Sequence, residues 1–248
     1  MARRVRWLSG AASFISTWLD LQDHPRGVIA HCETNSEDKD TDRFIAEAES
    51  FLCERFLGVV AHRLRSEAYA DTWDVWTRKR YMSGIAGAPC TGALKRDPRA
   101  AFERPDDIHV FGYTADAGDV ARAENFRANY PDTTMVVPLI DRGLTKAACL
   151  VLLEKTGVAP PRVYAMGFSN ANCVPCVKAT SPNYWALIRR EFPAEFERAA
   201  KLSREIGCRL ARINDKRVFI DEIPADQPVS EAIAPACDFL CHIAGQDL

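Results

Sequence analysis

The sequence lacks the long apolar run that a membrane-spanning helix requires. A bilayer span needs roughly 18 to 20 consecutive apolar residues, and every apolar stretch of this 248-residue chain is interrupted before that length. The basic N-terminus precedes only a short apolar segment, shorter than a secretory signal peptide needs. We therefore expect a soluble, cytoplasmic protein with no membrane partner.

A strong excess of one charge sign is also missing. The formal net charge is -2, so no overall attraction toward nucleic acid is expected. Basic clusters at residues 78–80 and 95–96 could form a local anion site, or they could be solvated helix faces. With 47% hydrophobic and 27% charged residues, the composition is that of a folded globular chain and excludes a disordered one.

Histidine gives no sign of a metal site, whereas cysteine is plentiful. Four of the five histidines, at positions 24, 31, 62 and 109, show no metal-ligand spacing. Nine cysteines, an odd number without a secretory segment, favour reduced thiols over a disulfide framework. A structural role as small apolar side chains is predicted for Cys32, Cys53, Cys149 and Cys208.

Strand-like and helix-like segments alternate along the chain. Short runs rich in Val and Ile predict strands at residues 5–8, 27–32, 59–64, 108–113 and 135–139. Apolar residues spaced by three and four predict helices at residues 14–21, 42–56, 120–129 and 144–156. This alternation predicts a doubly wound α/β fold, in which helices cover both faces of a mostly parallel sheet.

Small polar loops follow three of these predicted strands. In such sheets, ligands bind at the carboxyl ends of the strands, where the strand order reverses. The loop Ser9-Gly10-Ala11-Ala12-Ser13 opens a helix, so its N–H groups are expected to face phosphate or sulfate. A tight strand-to-helix connection needs small residues even without a ligand. Glu33 and Thr34 follow the second strand, and Gly112 follows the fourth.

A pair of thiols lies in the segment Cys173-Val174-Pro175-Cys176, in a polar turn. Two cysteines at this spacing can bind one metal centre or each other, because the turn brings both sulfurs to one side of the backbone. The pair therefore indicates a soft metal, an iron–sulfur cluster or a redox disulfide.

The order of these features resembles the phosphoadenosine phosphosulfate reductase family, a branch of the PP-loop, adenine nucleotide alpha hydrolase-like superfamily. The similar parts are the loop at residues 9–13, a Cys-Thr and Lys segment at residues 88–95, the Gly-Tyr-Thr-Ala-Asp stretch leading to Arg122, and residues 172–178. The resemblance spans residues 4–200 and is closest to short, cysteine-bearing members from phage and prophage genomes.

The resemblance implies a five-stranded nucleotide-binding sheet with ATP or adenylyl sulfate as ligand. It implies either sulfonucleotide reduction or adenylation of a substrate so that sulfur can replace oxygen. The residues that it places in the nucleotide or anion site are Ser9, Gly10, Ala11, Ser13, Glu33, Thr34, Lys95, Gly112 and Arg122. No residue is assigned as catalytic.

The chain departs from the family pattern in two places. The family loop reads Ser-Gly-Gly-x-Asp-Ser, whereas the loop at residues 9–13 lacks one glycine and the aspartate. Nucleotide binding is therefore predicted ahead of nucleotide hydrolysis. The Glu-Cys-Gly type tail of assimilatory reductases is missing too, which favours sulfur transfer or a repurposed binding module over reduction.

The cysteines are predicted to act together as ligands. We expect Cys90, Cys173 and Cys176 to bind a [4Fe-4S] cluster, with Cys241 or Cys237 as the fourth ligand or with that position open. Three alternatives stay open. They are free thiols, a redox dithiol, and a structural zinc site built from Cys173, Cys176, Cys237 and either Cys241 or His242.

The predicted organisation is a nucleotide-binding domain at residues 1–200 and a helix-and-strand extension at residues 201–248. The expected partners are an adenine nucleotide, a sulfur donor protein and a second copy of the chain, with a nucleic acid substrate left open. Two functions remain: an iron–sulfur enzyme of sulfur metabolism that uses an adenine nucleotide, and a catalytically degenerate nucleotide- or nucleic-acid-binding module with structural zinc.

Overall fold

An all-parallel, five-stranded sheet forms the centre of the computed structural model, which describes residues 2–231 and 233. Its strands are β1 Arg4–Trp7, β2 Arg26–Cys32, β3 Gly58–Leu64, β4 Ile108–Val110 and β5 Thr134–Val136. Their order is β3-β2-β1-β4-β5. The predicted doubly wound α/β fold is confirmed. The fifth strand is shorter than predicted because Pro138, at the first position of a helix, ends it.

Helices occupy most of the connections. They are α1 Ala11–Asp23, α2 Lys39–Arg55, α3 Thr72–Lys79, α4 Pro89–Thr91, α5 Asp97–Phe102, α6 Ala117–Asn129, α7 Pro138–Asp141, α8 Lys146–Thr156, α9 Pro182–Glu191 and α10 Pro193–Ile206. A π-helical turn, Gly92–Arg96, joins α4 to α5. The antiparallel hairpin of β6 Ala211–Ile213 and β7 Lys216–Val218 follows α10. None of the helices in the described part of the chain is long and apolar enough to span a bilayer.

The two faces of the sheet are covered differently. On one face, Ile29 of β2 belongs to the main core with Phe14 of α1 and Phe44 of α2. Val28 and Ala30 point the other way, because side chains alternate along a strand, and they pack near Phe102 of α5. The sheet is therefore buried on both sides, as expected of parallel strands.

A group of buried charges joins β1 to α1. The Arg6 side chain is fully buried, and its guanidinium lies 2.7 Å from the carboxylate of Asp20, which is itself buried. Arg4 reaches the same carboxylate at 2.7 Å. Arg6 also donates to the carbonyls of His24 and Arg26, at 2.6 and 3.1 Å, so its remaining N–H groups are largely satisfied.

The C-terminal part of the described chain shares the main core. Helix α10 runs continuously across residue 200, where the boundary of the extension is predicted. Phe196 and Ala199 of this helix belong to the same core cluster as Leu210 and Ile220, which lie beyond it. Residues up to Ile223 are therefore packed onto the sheet domain through apolar contacts.

Candidate functional site

The strand order reverses between β1 and β4, and a cavity opens at the carboxyl ends of these two strands. Its volume is about 240 Å³. This is the position at which doubly wound sheets bind their ligands. The lining residues are Trp7, Ser9, Gly10, Ala12, Ser13, Phe111, Gly112, Tyr113, Asp119, Arg122, Lys146, Tyr164, Asn170, Ala171 and Asn172. We call it the switch-point cavity.

Several N–H groups of the loop after β1 already donate hydrogen bonds within the protein. The hydroxyl of Ser13 accepts from the N–H groups of Ser9 and Gly10, at 2.8 and 2.9 Å. The N–H of Ala11 donates to the Tyr164 hydroxyl at 3.2 Å. These three N–H groups, which the sequence predicts to face an anion, are thus engaged within the protein. A bound anion would have to displace Ser13 or Tyr164 to reach them.

Two cations line the same cavity. Arg122 of α6 donates to Asp119 at 2.8 Å, and its side chain is largely exposed. Lys146, the first residue of α8, donates to Asn170 at 3.1 Å and lies over the Tyr164 ring. A cation at a helix N-terminus opposes the helix dipole. Lys146 was not among the predicted site residues. Its unfavourable position at the start of a predicted helix is a sequence signal that could have identified it.

The aromatic wall of the cavity is held in place by a buried histidine. The indole N–H of Trp7 donates to Nδ1 of His109 at 3.2 Å, and His109 stacks on Phe111. Burial lowers the pKa of His109, which keeps the ring neutral and able to accept this bond. Trp7 and Phe111 therefore present ordered aromatic surfaces to the cavity.

Gly112 allows the loops after β1 and β4 to approach each other closely. A Cβ on Gly112 would lie 2.5 Å from Cα and 2.7 Å from N of Ser13, which are backbone atoms and cannot move aside cheaply. Any larger residue would push the two loops apart. The close approach of the loops after β1 and β4, which form two walls of the switch-point cavity, therefore depends on Gly112.

The substitution Gly112→Ala is expected to lower the free energy of unfolding by about 1–3 kcal/mol, because the added methyl overpacks the crossing of the two loops. Urea denaturation measures the effect. Gly118→Ala is the matched control: a Cβ there meets nothing within 4 Å, so it should be neutral or stabilising by up to about 1 kcal/mol. Equal stabilities of the two variants would contradict this account of Gly112.

A second cavity, of about 60 Å³, brings the predicted thiol ligands together. Cys90 comes from α4, and Cys173 and Cys176 come from the turn before α9. We call it the thiol cavity. Its lining residues are Thr34, Thr72, Trp76, Cys90, Thr91, Lys95, Asn172, Cys173, Pro175, Cys176, Val177 and Lys178. Cys241 and Cys237 lie outside the described residues.

The Cys173 thiol lies in a polar, half-buried setting. Its Sγ is 3.1 Å from the Thr34 hydroxyl and 3.7 Å from Oε1 of Glu37. Burial first, and then the Glu37 carboxylate, raise the pKa of this thiol to about 12. Lys95 Nζ lies 3.9 Å from the same Glu37 oxygen, which places a cation beside the thiol.

The turn that carries both thiols is fixed at its two ends. The Val174 N–H donates to the Ser36 carbonyl at 2.7 Å, which ties the turn to the loop after β2. The Cys176 N–H donates to the Tyr184 hydroxyl of α9 at 2.6 Å. Glu37 and Cys173 also form an isolated antiparallel bridge. These backbone contacts fix the positions from which the two sulfurs reach the cavity.

One buried donor in the thiol cavity is poorly satisfied. Nε1 of Trp76 makes no hydrogen bond of ordinary geometry with any described atom, although the side chain is fully buried. The Cys90 thiol is close enough for a weak bond from this indole, which counteracts in part the rise in that thiol's pKa caused by burial. Buried N–H groups are nearly always satisfied. An acceptor atom inside this cavity would satisfy the indole.

A third cavity, of about 590 Å³, connects the first two. It borders Arg122 and Asn170 on the side of the switch-point cavity, and Cys173 and Cys176 on the side of the thiols. Asn172 lines all three cavities. The switch-point cavity and the thiol cavity are therefore neighbours and share walls.

The predicted site residues thus separate into three places. Ser9, Gly10, Ser13, Gly112 and Arg122 line the switch-point cavity, and Ala11 is buried directly beneath it. Thr34 and Lys95 line the thiol cavity instead. Glu33 lies apart from both, in ion pairs with Arg63 and Arg65 at the end of β3.

Among the residues that the structure describes, no three His, Cys, Asp or Glu side chains are grouped so as to hold a single metal ion. The thiol cavity nonetheless suits a sulfur-rich group, since it combines three thiols with a poorly satisfied indole N–H that could donate to sulfide.

The comparisons with known proteins give no support to the family resemblance, which rests on the sequence motifs alone. No protein-family model matches the chain, and a search of the curated proteins returns no match.

Proposed function

We propose that the chain binds an adenine nucleotide in the switch-point cavity and uses it in sulfur transfer, with an iron–sulfur cluster held by Cys90, Cys173 and Cys176. The observation that carries this proposal is the shared wall at Asn172, which places a cationic, aromatic cavity beside a cavity lined by three thiols. Doubly wound sheets bind nucleotides at this position. We expect the protein to act in the cytoplasm.

The switch-point cavity offers separate partners for the parts of a nucleotide. Trp7 and Phe111 supply aromatic surfaces on which a base can stack. Arg122 and Lys146 supply positive charge for the phosphates. Because the N–H groups after β1 are engaged by Ser13 and Tyr164, these two cations would hold the phosphates. This arrangement favours nucleotide binding and orientation.

The thiol cavity would hold the cluster through thiolates alone. Cys90, Cys173 and Cys176 would hold the cluster, and its iron would supply a means of binding and activating sulfur. The chain's own contribution is to fix the ligands and their surroundings: Thr34 and Glu37 orient the Cys173 side chain, and Lys95 compensates negative charge. Catalytic redox dithiols have lowered thiol pKa values, whereas burial raises the pKa of Cys173. This contrast argues against a catalytic redox dithiol.

One feature favours the second candidate, a binding module with structural zinc. The hydroxyl of Ser13 already occupies N–H groups that a phosphate loop would offer to its ligand. A loop closed in this way suits a protein that has kept the fold and lost nucleotide chemistry. Metal analysis separates the candidates, because the module would contain zinc and would release no heat on addition of ATP.

Removing both cations is expected to weaken nucleotide binding. The double variant Arg122→Gln/Lys146→Gln should raise the Kd for ATP by about tenfold or more, since hydrogen bonds to charged groups contribute roughly 1.5–3 kcal/mol each. Calorimetric titration measures it. The control Arg127→Gln/Lys155→Gln removes the same charge from exposed positions on the same two helices and should leave the Kd unchanged. Equal Kd values for the two double variants would overturn this placement of the nucleotide.

A further inference from the structure

A further groove is surrounded by basic side chains that have no carboxylate partner among the residues that the structure describes. The groove has a volume of about 390 Å³ and lies between the end of α3, the turn at residues 83–87 and the hairpin β6–β7. Its lining residues are Arg80, Tyr81, Ser83, Gly84, Ile85, Ile206, Gly207, Cys208, Arg209 and Arg217.

The hairpin is strongly basic and exposed. The segment 209–217 contains Arg209, Arg212, Lys216 and Arg217 against the single carboxylate of Asp215. All four cations are exposed, as is Arg80. None of these five forms an ion pair with a residue in the described part of the chain, 2–231 and 233. Arg204, close by in sequence, pairs with both Asp221 and Glu222.

The pairing of the hairpin places like charges opposite each other. Arg212 is the cross-strand partner of Arg217, so both side chains leave the same face of the two-stranded sheet. Like charges directly opposite are destabilising. Nothing in the described fold compensates this pair, because Arg217 donates only to the Leu210 carbonyl, at 3.0 Å. An external anion would remove the repulsion.

Arg80 shows a second local conflict. It ends α3 in the left-handed conformation with φ +50, where glycine is the favoured residue. The side chain donates to the Glu205 carbonyl at 3.1 Å, which brings it across to the hairpin side of the groove. The chain thus keeps an arginine at a position where the backbone alone would favour glycine.

The groove also contains groups suited to bases. Tyr81 is half-buried in its wall, and Ile85 is completely exposed at its edge. Guanidinium groups bind phosphates in bidentate fashion, and an aromatic side chain such as Tyr81 can stack with an unpaired base. A purely acidic peptide such as polyglutamate would use the charges alone, whereas a nucleic acid strand would use both the charges and the aromatic ring.

We propose that this groove and the hairpin bind the sugar–phosphate backbone of a single-stranded nucleic acid segment. One hydrogen bond ties the hairpin to the segment after the thiol turn, and the end of α3 lies close in sequence to the wall of the thiol cavity. The Arg212 N–H donates to the carbonyl of Thr180, four residues after Cys176, and Arg80 lies four residues after Trp76. The idea that this nucleic acid is the substrate of the sulfur transfer rests on the proposed function. The proposal that the groove and the hairpin bind a single strand does not depend on it.

Fluorescence anisotropy with the full chain and labelled 20-nucleotide single strands, one of RNA and one of DNA, tests the binding. The variant Arg212→Gln/Arg217→Gln should raise the Kd about tenfold and reduce the slope of log Kd against log salt by about 1.4, the value for two lost contacts with a single strand. The control Arg104→Gln/Arg127→Gln removes the same two charges at exposed positions away from the groove. It should leave both the Kd and the salt slope unchanged.

Several outcomes would overturn the proposal. They are an absence of binding to either strand, equal losses in the two double variants, or displacement of the strands by polyglutamate at equal charge concentration. Arg212→Lys/Arg217→Lys keeps the charge and should retain most of the salt slope, which guards against a folding defect. The variants Arg122→Gln and Cys173→Ser should bind the strands normally, so a failure of the nucleotide or cluster proposal is distinguishable from a failure of this one.

Discussion

Replacing Asp20 by asparagine is expected to lower the free energy of unfolding by about 3–5 kcal/mol, because it leaves a buried charge uncompensated. The Arg6 guanidinium is fully buried and lies 2.7 Å from the Asp20 carboxylate. Arg4 shares that carboxylate at the same distance. Asparagine keeps the size of the side chain and removes its charge, so the loss is electrostatic and not a cavity effect. Urea denaturation at neutral pH measures it.

The matched control is Asp23→Asn, on the same helix. Asp23 pairs with Arg142 at 2.9 Å, but both side chains are well exposed. Exposed pairs of this kind contribute about 1 kcal/mol or less. A loss below about 1 kcal/mol for Asp20→Asn would show that the buried guanidinium finds other compensation, and the account of β1 and α1 would then be wrong.

The second large effect concerns the thiols. Replacing Cys176 by serine is expected to reduce the iron bound after anaerobic purification about tenfold or more, since even outer contacts of metal sites cost 10–100-fold in affinity when lost. The same loss is expected for Cys90→Ser, because both thiols line one cavity. Iron and acid-labile sulfide analysis, with the visible absorption spectrum, measures the effect.

Cys53→Ser is the control for the thiol substitutions. Cys53 lies on α2 as a half-buried side chain packed against the core. Its replacement removes one thiol from the total but none from the thiol cavity, so iron content should stay at the level of the unsubstituted chain. If Cys53→Ser and Cys176→Ser lost iron equally, the metal would not be bound where we propose.

Most of the sheet and its longer helices could be predicted from local patterns. All five strands follow from runs of Val and Ile, and α1, α2, α6 and α8 follow from apolar spacings of three and four. Helices α4 and α5 were not predicted because they are too short to show a periodic pattern, and Pro138 starts α7 inside the predicted fifth strand. The strand order was not predicted either; only the general rule for such sheets placed the ligand site at the carboxyl ends of the strands.

The site was less predictable because its parts meet through long-range contacts. The hydrogen bond from the Ala11 N–H to Tyr164, some 150 residues away, has no signature in the loop itself. Thr34 and Lys95 were placed with the nucleotide, whereas the structure puts them beside Cys173. Cys90, Cys173 and Cys176 line one cavity, and their role as ligands of a cluster stays a prediction.

Calorimetric titration of ATP and adenylyl sulfate into anaerobically purified protein, with its iron, sulfide and zinc contents measured, tests the nucleotide site and the cluster together. We expect a brown protein that contains iron and sulfide and releases heat on binding at least one of the two nucleotides. A colourless protein with zinc or no metal, and no heat with either nucleotide, would contradict the proposed function.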